Sequence, residues 1–353
     1  MIASTVVYFR WQPPVTGHRW ALARPVTDLW SVAREKAQVL CPRNGFPMFW
    51  KYYGKEESIY EPLEVASGLF RELAAIDPST EGILPFADRY GPLTPGRLFV
   101  PEGNRESFPK PPRPSSPSYE PVRPINSGDV NQQEWSGHWV LRGAVMGDSL
   151  EDWQGNIRDL KALVGLWDAF GRKDRRLIEN VVQFDWDGKK RLVRLIDEGG
   201  RELDDPVLWD QPSSVSLTLQ KAAQHALLRA LTSRTTNGSS ISLHRAESPH
   251  HTKLAIVPRS LRDAIWLQFA LAVIGHKKYG ACDVCGKPYE ISPQVARTNR
   301  TLCSAACKAR AHRQRRDRAL KLDSEGRTPK QIAKQVGSQL STVQKWLTEA
   351  KEK

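Results

Sequence analysis

Two pairs of cysteines enclose the stretch CDVCGKPYEISPQVARTNRTLCSAAC, which runs from Cys282 to Cys307. The spacing is C-x2-C-x17-C-x3-C, so two short loops each supply two thiols. Zinc is tetrahedral in structural sites, and four thiolates at this kind of spacing satisfy it. We therefore predict that Cys282, Cys285, Cys303 and Cys307 bind Zn2+. The alternative is four unrelated core cysteines, which this spacing disfavours.

The residues between and after the cysteine pairs predict the fold of this segment. Tyr289 and Ile291 alternate as in a short hairpin strand, and Ser304 is a favoured helix cap. Cys307 would then lie in the first turn of a helix, where the helix dipole favours a thiolate. We expect a four-cysteine treble-clef or zinc-ribbon finger that folds around its metal. The fifth cysteine, Cys41, is expected to be a buried thiol.

Positive charge is concentrated at the end of the chain. The formal net charge of the 353 residues is +13, and residues 276–353 hold 18 of the 52 Lys and Arg but 7 of the 39 Asp and Glu. This segment therefore has a net charge of +11, and the first 275 residues have a net charge of +2. A local basic block predicts a polyanion partner, with a solvated tail as the alternative.

The predicted helix after the second cysteine pair carries much of this charge. Guanidinium and ammonium groups in a row suit phosphate oxygens, so we predict that this helix binds double-stranded DNA along its backbone. The predicted phosphate contacts are Lys308, Arg310, Arg313, Arg315, Arg316 and Arg318.

The last segment, RTPKQIAKQVGSQLSTVQKWLTEAK, predicts a helix-turn-helix over residues 319–353. Thr328 and Pro329 are typical of a helix start, and Gly337 permits a sharp turn. The second helix is predicted to begin with Ser341 as its cap. An ordinary helical hairpin is the alternative. In the DNA-binding interpretation, this second helix reads the major groove. The residues predicted to reach bases or phosphates are Ser341, Thr342, Gln344 and Lys345.

The rest of the chain predicts a mostly α protein with small β-hairpins, which is an α+β class. Thr27 and Asp28 predict a capped helix over 29–39, and helical periodicity is present over 62–76, 150–170 and 217–231. Further patterns predict hairpins around Asp187 and between Ile241 and Pro258, and a helix capped by Ser260. The predicted domains are 1–108 (α+β), 109–134 (Pro-rich linker), 135–276 (helix-rich with hairpins), 277–318 (finger with basic helix) and 319–353.

The stretch YGACDVCGKPYEISPQVARTNRTLCSAACKARAHRQR resembles the zinc finger of the bacterial CGNR family. That family carries the finger near the C-terminus, behind a helical domain called ABATE, and is proposed to contain transcriptional regulators. The sequence departs from the family at Cys307-Lys-Ala-Arg310, where the family has Cys-Gly-Asn-Arg. The chain is more similar to a looser group of bacterial proteins that share the CS-x2-C finger, an upstream Trp-Leu-Gln-Phe helix and a terminal helix-turn-helix. The resemblance implies a regulator.

These observations favour a zinc-dependent DNA-binding protein over two alternatives. One alternative is a finger that binds a protein or RNA partner, as in toxin–antitoxin or phage-defence components. The other is an HNH-like nuclease, for which His312 and the His250-His251 pair give no convergent catalytic set, so we expect no enzyme. A second contact for the helix-turn-helix would come from a homodimer or from the basic helix. An effector or protein partner for the first 275 residues stays open.

The sequence also carries expectations about location. The start of the chain has no basic segment followed by a long apolar run, and no apolar run reaches membrane-spanning length. We therefore expect a cytoplasmic, nucleoid-associated protein without membrane contact.

Overall fold

A computed structural model describes residues 6–7, 17–28, 31–32, 35–42, 66–94, 97–101, 145–187, 190–203, 207–208, 218–236, 238–245, 252–291 and 300–351. The chain divides into two compact units, Met1–Gly275 and His276–Lys353. The predicted linker at 109–134 lies outside the described residues.

The elements of the described residues are named here in chain order. The strands are β1 (Val6–Val7), β2 (His18–Asp28), β3 (Ser31–Val32), β4 (Ala37–Pro42), β5 (Arg97–Pro101), β6 (Val145–Ser149), β7 (Val182–Asp187), β8 (Lys190–Leu195), β9 (Val207–Leu208), β10 (Ser239–Arg245), β11 (Thr252–Pro258), β12 (Tyr279–Ala281) and β13 (Pro288–Glu290). The helices are α1 (Leu69–Ala74), α2 (Thr80–Tyr90), α3 (Leu150–Arg172), α4 (Arg175–Val181), α5 (Leu219–Thr236), α6 (Leu261–Ile274), α7 (Ala305–Ser324), α8 (Pro329–Val336) and α9 (Leu340–Lys351).

A five-stranded antiparallel sheet forms the first part of the N-terminal unit. Strand β2 pairs with β4 and β5, and β6 also pairs with β4 and β5, so these four strands close into a circuit. Closure leaves fewer free strand edges, which are a liability in open sheets. The helix predicted over 29–39 is wrong, because β2 continues to Asp28 and β4 begins at Ala37.

Helices α1, α3 and α6 of this unit pack together through aromatic side chains. The aromatic rings of Phe70 on α1 and Phe269 on α6 are stacked with centroids 5.1 Å apart, and the Trp167 ring of α3 meets the Phe269 ring edge-on. Arg71 donates from both terminal nitrogens to Asp168, at 2.9 and 2.6 Å. Three distant segments of the chain therefore share one aromatic core.

Several local predictions in this unit are confirmed. The side chain of Ser260 accepts a hydrogen bond from the Asp263 amide at the start of α6, as expected of a cap. Strands β7 and β8 pair as an antiparallel hairpin, and so do β10 and β11. The helix predicted over 62–76 is shorter in its described part, since α1 begins only at Leu69.

The C-terminal unit consists of the β12–β13 hairpin followed by α7, α8 and α9. Its helices enclose a small apolar core to which all three contribute. The buried residues of this core are Ala319, Ile332, Ala333, Val336, Val343, Trp346 and Leu347. Helix α7 runs unbroken from Ala305 to Ser324 and so spans the junction between the predicted segments 277–318 and 319–353.

The described residues therefore form a mixed α+β structure, as predicted, with strands that are mostly antiparallel. The sheet around β2 was not predicted as a sheet. No helix among the described residues is long and apolar enough to cross a membrane.

Candidate metal centre and basic helix surface

The first cysteine pair lies in a tight turn between β12 and β13. The amide of Gly286 donates to the Cys282 carbonyl at 2.8 Å, and Gly286 adopts a left-handed φ of 70°, which glycine accepts without steric cost. The amide of Cys282 in turn donates to the Lys287 carbonyl at 3.0 Å. This closed turn holds the Cys282 and Cys285 thiols on one side of the hairpin.

The second pair lies at the start of α7. Ser304 is the cap residue, and its hydroxyl accepts a hydrogen bond from the Cys307 amide at 3.2 Å. Cys307 is buried in the first turn of the helix, as the sequence predicted. The Cys303 amide points at the Cys282 sulfur at 3.4 Å, so the two pairs contact each other directly.

The four sulfur atoms converge on one point. All four lie within 4.8 Å of one another, and two of the sulfur–sulfur distances, Cys285 to Cys303 and Cys303 to Cys307, are 3.5 Å. A tetrahedral metal with metal–sulfur bonds of about 2.3 Å separates its ligands by about 3.8 Å. Every cysteine of the cluster is a free thiol, and 3.5 Å is far longer than a disulfide. The cluster therefore could hold a metal ion.

The surroundings of three of these thiols shift their pKa values in different directions. Burial raises the pKa of Cys303 to about 12 and also raises the pKa of Cys285. Burial acts in the same direction on Cys282, but the amides of Cys303, Val284 and Cys285 point at its sulfur and lower its pKa to about 6. Because the thiolate is the form that binds metals, a divalent cation at this cluster would displace protons from the thiols.

Two side chains to which the sequence analysis gave no role in the site lie beside the cluster and hold the chain around it. The Tyr289 hydroxyl donates to the Arg300 carbonyl, and the Arg300 guanidinium donates to the carbonyls of Leu302 and Cys303. The guanidinium also lies over the Tyr289 ring, 5.4 Å from its centroid. No spacing rule marks such residues, because they act on backbone carbonyls rather than on the metal.

The residues predicted to contact phosphates all lie on α7, the helix that follows the second cysteine pair. No residue of α7 between Cys307 and Ala319 is buried, so solvent reaches most of the surface of this stretch. At the rise of an α-helix, the stretch is about 18 Å long. Lys308, Arg310, Arg313, Arg315 and Arg318 are exposed. Arg316 is half-buried, because it faces Glu349 of α9.

The predicted base-reading residues lie on the outer side of α9. Ser341, Gln344 and Lys345 are exposed and Thr342 is half-buried, while Val343, Trp346 and Leu347 face the core. The prediction of Ser341 as the cap is wrong, because α9 begins at Leu340 and Ser341 lies in its first turn.

Helix α8 contributes two further exposed cations. Thr328 and Gln331 form a reciprocal capping box at its start, and Gly337 ends it with a left-handed φ of 63°. Lys330 and Lys334 are exposed, four residues apart on one side of the helix. The sequence prediction did not include them, although the i, i+4 spacing on a helix whose apolar residues turn inward was a usable signal.

Contacts between α7 and α9 occur in the same order along the two helices. His312 contacts Trp346, and Arg316 faces Glu349. The first turn of α9 therefore lies toward the end of α7 that carries Cys307. The N-terminal half of α9 therefore lies alongside the part of α7 that precedes Arg316.

Comparison of the chain with known protein families, curated proteins and solved structures gives no match. The resemblance to the CGNR family therefore stays a prediction.

Proposed function

We propose that this chain is a zinc-dependent DNA-binding protein that acts as a bacterial transcriptional regulator. The observation that carries the proposal is the continuity of α7, which begins at the cysteine cluster and ends in the core shared with α8 and α9. One helix thereby ties a candidate metal centre to a pair of helices with exposed polar side chains. The net charge of +11 over residues 276–353 favours binding of this unit to a polyanion such as DNA.

Zinc is the metal that the proposal assigns to the cluster. Four thiolates in a tetrahedral arrangement are typical of structural zinc, with iron–sulfur clusters as the other common occupant. One cysteine pair comes from a hairpin turn and the other from a helix start, which supports the proposal of a treble-clef finger. Four protein ligands leave no open coordination position, so the proposal gives the metal a structural role and includes no catalytic step.

In the proposal, α8 and α9 form a helix-turn-helix. Gly337 provides the turn, and α9 enters the major groove with its N-terminal half. Ser341, Thr342, Gln344 and Lys345 then reach base edges or nearby phosphates. Helix α8 crosses the DNA backbone, where Lys330 and Lys334 face phosphate oxygens.

Helix α7 supplies the sequence-independent part of the binding. In the proposal, its exposed arginines contact phosphates beside the groove that α9 reads, because α9 packs alongside α7. The N-terminal unit, with a net charge near zero, is assigned to effector sensing, dimerisation or partner binding.

A gel-shift titration of the full-length protein against mixed genomic duplex fragments tests the proposal. The titration is run at two salt concentrations, with single-stranded RNA as competitor. We expect retention that weakens steeply with salt, selects some duplex fragments over others and resists the RNA. No retention at low salt, or displacement of the duplex by RNA, would instead favour a protein or RNA partner.

A further inference from the structure

One carboxylate lies between two of the cations assigned to DNA. Oε2 of Glu349 is 3.6 Å from Nη2 of Arg316 on α7, and Oε1 of the same side chain is 3.9 Å from Nζ of Lys345 on α9. Each oxygen thus faces a different cation from a different helix. Both distances lie within the range of ion pairs but are longer than a normal hydrogen bond, so neither pair is strong.

The surroundings leave this carboxylate accessible to a competitor. The side chains of Glu349, Arg316 and Lys345 are 42%, 34% and 75% exposed. Glu349 is therefore an anionic group within reach of solvent, between two cations that are themselves partly exposed.

A carboxylate and a DNA phosphate offer the same kind of oxygen to a guanidinium or ammonium group. We propose that Glu349 occupies the place of a DNA phosphate in the free protein and thereby sets specificity, an inference that rests on the proposed DNA-binding function. When the protein binds DNA through phosphates alone, Arg316 and Lys345 both turn from Glu349 to DNA phosphates. The Glu349 carboxylate then loses its two cations and lies close to the negatively charged DNA backbone. Binding to arbitrary sequence is weakened by that repulsion.

Contact with a base edge does not carry this cost. Base-edge acceptors are neutral, and the Lys345 ammonium has three donors, so Lys345 can donate to a base while it stays beside Glu349. Glu349 thus discriminates between a phosphate and a base as the partner of Lys345. Its effect is larger on random DNA than on a selected site.

The test compares Glu349→Gln with wild type on a random duplex and on a duplex selected by the protein. We expect the variant to bind the random duplex about two- to fivefold more tightly, as loss of exposed ion pairs allows. We expect a smaller gain on the selected duplex, so the ratio of the two affinities falls. For random DNA, the slope of log affinity against log salt concentration should become steeper by the amount expected for about one additional phosphate contact.

Glu325→Gln is the matched control, since Glu325 is exposed at the end of α7 and its replacement changes the net charge equally. Zinc content and helix content of both variants are checked against wild type. Equal gains in the two variants, an unchanged affinity ratio, or weaker binding by Glu349→Gln would overturn the inference while leaving the proposed function standing. Failure of wild type and both variants to bind either duplex would refute the proposed function, and this inference with it.

Discussion

The His312 ring of α7 meets the buried Trp346 ring of α9 edge-on, with centroids 5.2 Å apart and an interplanar angle of 87°. Such edge-to-face pairs are favourable beyond the area they bury. His312 follows Cys307 by little more than one helical turn, so the helix that starts at the cysteine cluster packs almost at once against α9. We therefore expect loss of a metal from the cysteine cluster to disturb the packing of α9, the helix proposed to read DNA.

Trp346→Ala should disrupt the packing of α9 against α7. Removing a buried tryptophan from a core costs about 3–5 kcal/mol, and the apolar core around it is small. We expect the amides of α8 and α9 to lose most of their protection against hydrogen exchange, and DNA binding to be lost. Zinc should stay bound, since all four cysteines lie in the hairpin turn and at the start of α7, and none lies on α8 or α9.

Gln344→Ala is the control for that change, because Gln344 is exposed on the same helix. It should leave hydrogen exchange unchanged. Unaltered protection of α9 in Trp346→Ala would show that the α7–α9 packing is unimportant to the unit.

Cys285→Ser should release the metal. A serine hydroxyl is a poor zinc ligand, and the remaining three thiols cannot complete the tetrahedron. We expect zinc content to fall from one ion to near zero per chain and helix content to decrease. Cys41→Ser changes a buried thiol in the other unit and should retain its zinc. Full zinc content in Cys285→Ser would refute the ligand assignment.

Arg313→Ala and Lys345→Ala should affect DNA binding in different ways. Arg313 is assigned to phosphate, so its loss weakens binding to all duplexes alike and lowers the salt slope by about one. Lys345 is assigned to a base edge, so its loss weakens the selected duplex by about 1 kcal/mol and reduces the preference over random DNA.

Arg229→Ala serves as the control for both, since Arg229 is exposed in the N-terminal unit. It removes the same charge and should leave both affinities near wild type. The DNA docking described above would be wrong if Arg313→Ala and Lys345→Ala also left both affinities unchanged.

Asp148 should make the stability of the N-terminal unit depend on pH. Burial raises the pKa of this carboxyl from 3.8 to about 6, although it accepts hydrogen bonds from Leu93 and Thr94. Because the folded pKa is the higher one, the folded state binds the proton more tightly. The resulting stability is complete below about pH 4 and is lost as pH rises through about 6, by roughly 3 kcal/mol at most.

Asp148→Asn should remove this component of the pH dependence, because the amide stays neutral. The measurement is the free energy of unfolding by urea from pH 4 to pH 8, followed by tryptophan fluorescence. Glu198→Gln, at a side chain 85% exposed, should keep the wild-type profile. Matching profiles for wild type and Asp148→Asn would contradict the prediction.

The sequence predicted best those features that depend on neighbouring residues. The cap at Ser260, the helix start at Thr328 and the position of Cys307 in the first turn of α7 all follow from local hydrogen bonding. The convergence of the four cysteines was also predictable, because zinc sites use recurrent spacings.

Features set by distant pairing were not predictable in this way. Thr27 and Asp28 gave a local helix signal, but β2 pairs instead with β4 and with β5, which lies much farther along the chain. Tertiary pairing overrode the local preference. The Arg316–Glu349 contact was likewise invisible in the sequence, since it depends on how α9 packs against α7.

The most direct test of the account is the DNA affinity of one protein sample before chelation, after chelation and after zinc is restored. Fluorescence anisotropy with a duplex selected by the protein gives the affinity at each stage, and circular dichroism gives the helix content. We predict that chelation abolishes selective binding and lowers helix content, and that zinc restores both. Equal affinity with and without zinc would contradict the claim that the metal centre organises the DNA-reading helices.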